Sequence, residues 1–362
     1  MIISIYILGI VGVIAFAGMC VDLYHAFDEW QQRIHIGRWN NREQWQKAVE
    51  NKARQWLVKS PVVQKTDQNR WVLWDMIRGN YSSHTIQSWQ DGGLILGLSK
   101  EDAQLYVKHH PQLFSKNIEI DQAFLAFALK QQSVLEEEKE SLIKKKIASY
   151  IDGNHTIPYR KVCPQIRFVD TIGLVCPFLY CIGERKLADK QIAEYDKALY
   201  QNVFPAHAFN LSVQLPMGVF DWGRGIGWYI LGLILTPEGI QSQRERILHL
   251  AMNLLPFQRP QGGFSCMIFN QEERYESSGS ATIGLLFVEA YKLSGDIQFL
   301  KAAFKVESSL MKATRRNGAL DYAQGDTKGI GFYSNKFSIM PFVQGISLLL
   351  SKKLDNYETI IG

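Results

Sequence analysis

Residues 233–253 read LILTPEGIQSQRERILHLAMN. An apolar run ends in a short turn carrying Pro and Gly and resumes as a polar, amphipathic helix, which makes the segment an αα-hairpin. The same pattern occurs at 94–110 (LILGLSKEDAQLYVKHH), at 179–199 (LYCIGERKLADKQIAEYDKAL) and at 291–309 (YKLSGDIQFLKAAFKVESS). Each time the first helix is apolar on nearly all sides and the second is half polar. A helix apolar all round has to be covered on every side, whereas one with a single apolar stripe lies at the surface. The hairpins therefore make two layers. Helices near 124–129, 171–179, 228–235 and 281–290 form an inner ring, and their polar partners lie outside. The apolar helices recur at uneven intervals of roughly 45 to 60 residues, which fits a closed toroid with variable loops better than a regular solenoid. Strand signals are sparse, with no Asn-Gly hairpin between alternating runs. The expected fold is all-α, an (α/α)6 toroid of six hairpins spanning 41–362 and opened by an amphipathic helix in 40–60, NNREQWQKAVENKARQWLVKS.

Composition agrees with one large core. The 362 residues are 46% apolar and 21% charged, which excludes general disorder. The net charge of +5 comes without any Lys/Arg block beyond 144–146, so no nucleic-acid partner is expected. The five cysteines, Cys20, Cys163, Cys176, Cys181 and Cys266, form no CxxC pair and have no His at ligand spacing; they read as reduced, inert thiols, and neither a metal site nor a cofactor is expected.

The first 21 residues, MIISIYILGIVGVIAFAGMCV, carry no charge and reach the lower limit of length for crossing a bilayer. They read as a single-pass membrane anchor followed by a linker over 22–40. A cleavable signal peptide is the rival, since Ala15-Phe16-Ala17 resembles a cleavage site, although no Lys or Arg precedes the apolar run. The nearest cations, Arg33, Arg38 and Arg42, follow the segment, which places the folded domain on the cytoplasmic side.

The polar clusters stand just before the inner helices. Asp121 precedes QAFLAFALK, Asp170 precedes TIGLVCPFL, WGRGIGW (222–228) leads into YILGLIL, and Glu276 with Ser277 and Ser278 precedes GSATIGLLF. In a hairpin barrel these ends share one face, where unpaired N–H groups and the helix dipoles suit an anionic ligand. Taken singly, Asp121, Asp170 and Glu276 could each be helix caps, Trp222 and Trp228 core aromatics, and Arg224 a partner for an acid. Two carboxylates, an Arg, a His and aromatics converging on one rim weigh toward a site.

The segments IEIDQAFLAFAL (118–129), VDTIGLVCPFL (169–179), WGRGIGW and RYESSGSATIGLL (274–286), in that order, resemble the motifs of the unsaturated glucuronyl and rhamnogalacturonyl hydrolases, glycoside hydrolase families 88 and 105. The likeness spans about residues 45–350. It implies the six-hairpin toroid and an oligosaccharide substrate. The reaction it implies hydrates the C4=C5 double bond of an unsaturated uronic acid, and the resulting hemiketal collapses to release the neighbouring sugar. On this resemblance Asp170 is the general acid and base and Asp121 the second aspartate that positions water. His207 in PAHAF contacts the sugar, and Arg224 and Trp228 line the same pocket; Trp222, Glu276 and Ser277 are further substrate-binding candidates from their place on the rim. Ile226 departs from the pattern, as does the membrane segment. Lys328 and Lys336 are candidates for binding the uronate carboxylate. The alternative from another class is a membrane-attached polysaccharide-binding or assembly protein that keeps the toroid without turnover.

Overall fold

The computed structural model describes residues 2–64, 72–79, 81–82, 86–114, 118–327 and 329–361. In chain order the helices are α1 (Ile2–Arg33), α2 (Arg42–Val58), α3 (Val72–Ile77), α4 (Ser88–Leu96), α5 (Lys100–His109), α6 (Gln122–Gln131), α7 (Glu137–Ala148) and α8 (Val169–Cys181). They continue with α9 (Arg185–Tyr195), α10 (Gly223–Ile234), α11 (Pro237–Ser242), α12 (Arg244–Leu254), α13 (Ser277–Ser294), α14 (Ile297–Lys312), α15 (Pro341–Leu354) and α16 (Glu358–Ile361).

Burial separates them into two rings. Helix α10 is buried at every position, and α4, α6, α8, α13 and α15 are buried along most of their length. Helices α2, α5, α7, α9, α12 and α14 each bury one stripe only. Each inner helix packs against the next, and α15 packs back on α4, so the ring closes. Closure requires bare backbone at the seam: a Cβ on Gly345 would lie 2.0 Å from the Gly93 carbonyl, and one on Gly97 would lie 2.1 Å from that of Gly345. The closing outer helix is α2, capped by Asn41 and laid against α15. Its Arg42 donates to Glu307 of α14 (2.8 Å) and reaches Asp355 and Glu358 beyond α15.

Outer helices end, and inner helices begin, on one face, and the long loops there carry the short strand pairs. Residues Ile166–Phe168 pair with Ala208–Asn210, which pair in turn with Leu215–Met217. This ribbon brings the segment before α8 beside the segment before α10.

Helix α1 has no buried residue and combines 32 residues with a mean hydropathy of 2.5 over its most apolar 18-residue window, so its length and composition would allow it to cross a bilayer. It does not stop at residue 21. Residues 22–33, the first part of the expected linker, continue the helix because their polar side chains find partners on the toroid: Asp22 accepts from the Val72 amide (2.7 Å) and Arg33 binds Asp321 (2.6 Å).

Candidate active site

At the inner-helix N-termini lies a cavity of about 310 Å³. Asp170, in the first turn of α8, stands in its wall with Phe168 and Ile166 from the strand that precedes it. Its Oδ2 is buried and has no hydrogen-bond partner, while the side chain as a whole is 21% exposed. Burial pushes its carboxyl up to about 6, against the pull of its own backbone amide and of the Arg224 and Arg160 charges.

His207, just before the strand Ala208–Asn210, places Nε2 3.8 Å from that Oδ2, too far for a hydrogen bond. Burial lowers the imidazole to about 4, so it is neutral at neutral pH and the contact is not an ion pair. Its Nδ1 lies 3.3 Å from the Tyr333 hydroxyl. Trp222, Tyr333 and Phe168 enclose the ring, with centroids 4.6, 5.6 and 5.9 Å away.

Helix α10 supplies the facing wall. Trp222 precedes it and donates Nε1–H to Gln324 (3.0 Å). Arg224, 4% exposed, donates through Nε to Ser278 (3.1 Å) and through Nη1 to the Gly325 carbonyl (3.3 Å). Its Nη2 is buried, makes no hydrogen bond and stands 3.9 Å from Glu276. Arg224 also lines the cavity, so its wall carries a second residue with a polar atom lacking a hydrogen bond, this one a cationic donor. Leaving such groups unpaired costs stability, and a ligand that supplied both a donor and an anionic acceptor would satisfy them. Trp228 completes an aromatic wall with Trp89, edge to face at 5.3 Å.

Asp170, His207, Trp222, Arg224 and Trp228 are thus brought together, whereas Asp121, Glu276, Ser277 and Lys336 are not on the wall. Asp121 precedes α6 without a side-chain cap bond to it and accepts from Ser88 (2.9 Å), one residue from the cavity-lining Gln87. Burial raises its pKa, with the Ser88 hydrogen bond opposing. Tyr159, which lines the cavity, feels the charges of both Asp121 and Asp170 and is raised by burial first and then by them. Glu276 and Ser277 are buried inside the fold. Glu276 caps α13 through the amides of Ser278 and Gly279 and accepts from the Gln324 amide (3.1 Å). Ser277 donates its amide to the Tyr322 carbonyl (3.1 Å). Lys336 lines a separate groove against α1, and Lys328 lies outside the described residues.

Trp89, Asp326 and Arg160 are among the cavity-lining groups that sequence reasoning did not reach. Trp89 begins an inner helix whose polar start went unread, Asp326 sits in the loop before α15, and Arg160 sits on the irregular 149–165 stretch. Arg160 is exposed and makes no side-chain hydrogen bond or ion pair among the described residues. Its only sequence signal was a cation ten residues before Asp170, next to Lys161. Among the described residues no group of three His, Cys, Asp or Glu side chains is arranged to hold a metal.

No protein-family model matches the chain, and no curated protein matches it in sequence. Solved structures match its fold. A possible member of the GH105 family from Klebsiella pneumoniae superposes with a TM-score of 0.69 at 14% identity, covering 88% of this chain and 95% of that one. The unsaturated glucuronyl hydrolase of Bacillus sp. GL1, described as responsible for glycosaminoglycan degradation, gives 0.61 at 15%, covering 92% and 98%. An unsaturated glucuronyl hydrolase specific for heparin gives 0.63 at 12%, covering 88% and 99%. A protein described as a polysaccharide lyase shares the fold too, at 0.57 and 14%. The chain has the six-hairpin toroid of the GH105 and unsaturated glucuronyl hydrolase structures.

Proposed function

We propose that this protein is a glycoside hydrolase of the unsaturated uronyl hydrolase type, held at a membrane by α1. The observation that carries the reading is a pair of buried polar atoms without hydrogen bonds on two residues of one cavity wall, Asp170 Oδ2 and Arg224 Nη2, with the Asp170 carboxyl lifted to about 6. A carboxyl with that pKa holds a proton on an appreciable fraction of molecules near neutrality and can both give and take one. In the proposed reaction Asp170 donates its proton to C4 of the unsaturated uronate. The resulting Asp170 carboxylate takes a proton from the water that adds at C5, so the elements of water cross the double bond and the acid is restored. The C5 hemiketal then collapses and the neighbouring sugar leaves with its glycosidic oxygen.

The neutral His207 offers a hydrogen bond to the sugar, Trp228 and Trp89 offer aromatic faces, and Arg224 and Arg160 offer cations for the uronate carboxylate. Asp121 acts from behind Ser88, tuning the charge around Tyr159 and the catalytic water. The folded domain is assigned to the cytoplasmic side, from the cations Arg33, Arg38 and Arg42 after the apolar run.

The test is turnover of a panel of unsaturated disaccharides made by different lyases, followed by loss of the ultraviolet absorbance of the double bond. At least one is consumed, and Arg160→Gln raises its KM about tenfold or more, the equivalent of one charge-assisted hydrogen bond. Tight binding without consumption across the panel would instead favour a non-catalytic binding protein.

A further inference from the structure

The end of α1 is built into the catalytic face. Arg33 holds Asp321 with two donors, Nε to Oδ2 (2.6 Å) and Nη2 to Oδ1 (3.0 Å), and donates Nη2 also to the Phe337 carbonyl (3.0 Å). Arg315 grips the same Oδ2 (2.6 Å) and lies 3.3 Å from Glu29 of α1. Asp321 is fully buried. Burial opposes its charged form, but the hydrogen bonds and charges of Arg33 and Arg315 outweigh it and keep the carboxyl below its ordinary value. The α1 backbone is fastened as well: the Arg316 amide donates to Gln32 (3.1 Å), and the Gly37 amide just past the helix donates to Lys312 (2.9 Å).

What Asp321 holds is a strap running into the site. The next residue, Tyr322, has φ of +62°, a left-handed conformation that is costly for a bulky side chain. Asp321 Oδ1 accepts the Tyr322 amide (2.7 Å), and the Arg33 guanidinium lies over the Tyr322 ring at 5.8 Å. Beyond it the strap meets the catalytic face residue by residue. The Tyr322 carbonyl takes the Ser277 amide, Gln324 bonds Glu276 through its amide and Trp222 through its side chain, and the Gly325 carbonyl takes Arg224 Nη1. Asp326 and Thr327 then enter the cavity wall.

We propose that Arg33 of the membrane helix is a positioning residue for the active site: by clamping Asp321 it fixes the strained strap 321–325, and the strap sets Trp222 and Arg224. The end of the helix, with Glu29 and Arg33, is therefore a working part of the site. This deepens the glycosidase reading and rests on it only for the turnover arm below. Removing Arg33 leaves Arg315 alone against a buried carboxylate, and the strain at Tyr322 is released into residues that touch the ligand.

The experiment uses the full-length chain in detergent, comparing wild type, Arg33→Ala, Arg33→Lys and, as a control, Arg38→Ala, whose side chain is exposed. Two quantities are read: amide hydrogen exchange at Ser277, Tyr322, Gln324 and Gly325, and kcat and KM on an unsaturated disaccharide. Arg33→Ala speeds exchange at these four amides about tenfold or more while the inner helices stay protected. Its kcat/KM falls about tenfold, and Arg33→Lys recovers part of both losses. Arg38→Ala changes neither. Unchanged exchange at the four amides in Arg33→Ala, or an equal effect of Arg38→Ala, overturns the proposal. If Arg33→Ala does not fold, Arg33→Lys decides by the same exchange readout. If the wild type consumes no substrate, the proposed reaction fails, while the exchange arm still decides the role of Arg33.

Discussion

At Asp170 stability and the proposed proton transfer pull in opposite directions. An ordinary Asp titrates near 3.9, whereas burial lifts this one to about 6. A carboxyl whose folded pKa is raised costs stability wherever the folded state has to carry the charge, and that cost is relieved as pH falls from about 6 toward the unfolded value. Asp170→Asn removes the charge at constant size. The thermal midpoint at pH 7.5 rises, by about 2 °C or more, and turnover drops by about 10² to 10⁴. A fall in both quantities would mark a structural residue instead. The same protonation sets the pH profile: catalysis that begins with proton donation loses rate as pH rises through about 6, and this limb of kcat disappears in the residual activity of Asp170→Asn. His207, neutral down to about 4, adds no limb in that window.

Asp170, His207, Trp222, Arg224 and Trp228 were legible in the sequence because each sits beside the start of an apolar run or in a segment that resembles the hydrolase motifs. Glu276 was legible as polar and adjacent, but its carboxylate spends itself on the amides of α13 and on Gln324. Arg160 was not legible, because an irregular loop has no periodicity to say which way a side chain faces.

Among the elements, the inner helices follow from composition, since a segment such as GWYILGLI has no polar face to offer water. The closure of the ring was not written in any one segment. It depends on Gly93 and Gly97 of the α4 region meeting Gly345 of α15, residues some 250 positions apart that no local pattern connects. Gly345→Ala forces a Cβ to within 2.0 Å of backbone, and neither partner has a flexible side chain to yield. The expected cost is about 1–3 kcal/mol, read by chemical or thermal unfolding. Gly153→Ala, with open space at that position, is the control and costs less than about 1 kcal/mol. Equal effects of the two would mean that α4 and α15 are not in contact. Helix α1 runs past the uncharged segment for a related reason. Counting uncharged residues ends the segment at 21, whereas Asp22 and Arg33 are satisfied by the Val72 amide and Asp321, and both partners come from distant sequence.

At the scale of the whole molecule, an apolar helix and a toroid are joined through the face that carries the cavity, which makes two truncations behave differently. A chain beginning at Asp22 loses the apolar run, no longer partitions into vesicles, and keeps the Arg33–Asp321 clamp and turnover. A chain beginning at Asn41 also loses the clamp, and its kcat/KM falls about tenfold or more even where its helical content is retained. Equal activity of the two would separate the anchor from the site.

In the proposed reaction water adds across a double bond and Asp170 carries the proton. Offering the full-length protein a matched pair, an unsaturated uronyl disaccharide and its saturated counterpart, and measuring sugar release and ultraviolet absorbance together, puts this to the test. The unsaturated member alone is cleaved, one double bond disappears for each sugar released, and Asp170→Asn is slower by at least about 100-fold. Cleavage of the saturated member at a similar rate, release of sugar with the absorbance unchanged, or full activity of Asp170→Asn would contradict it.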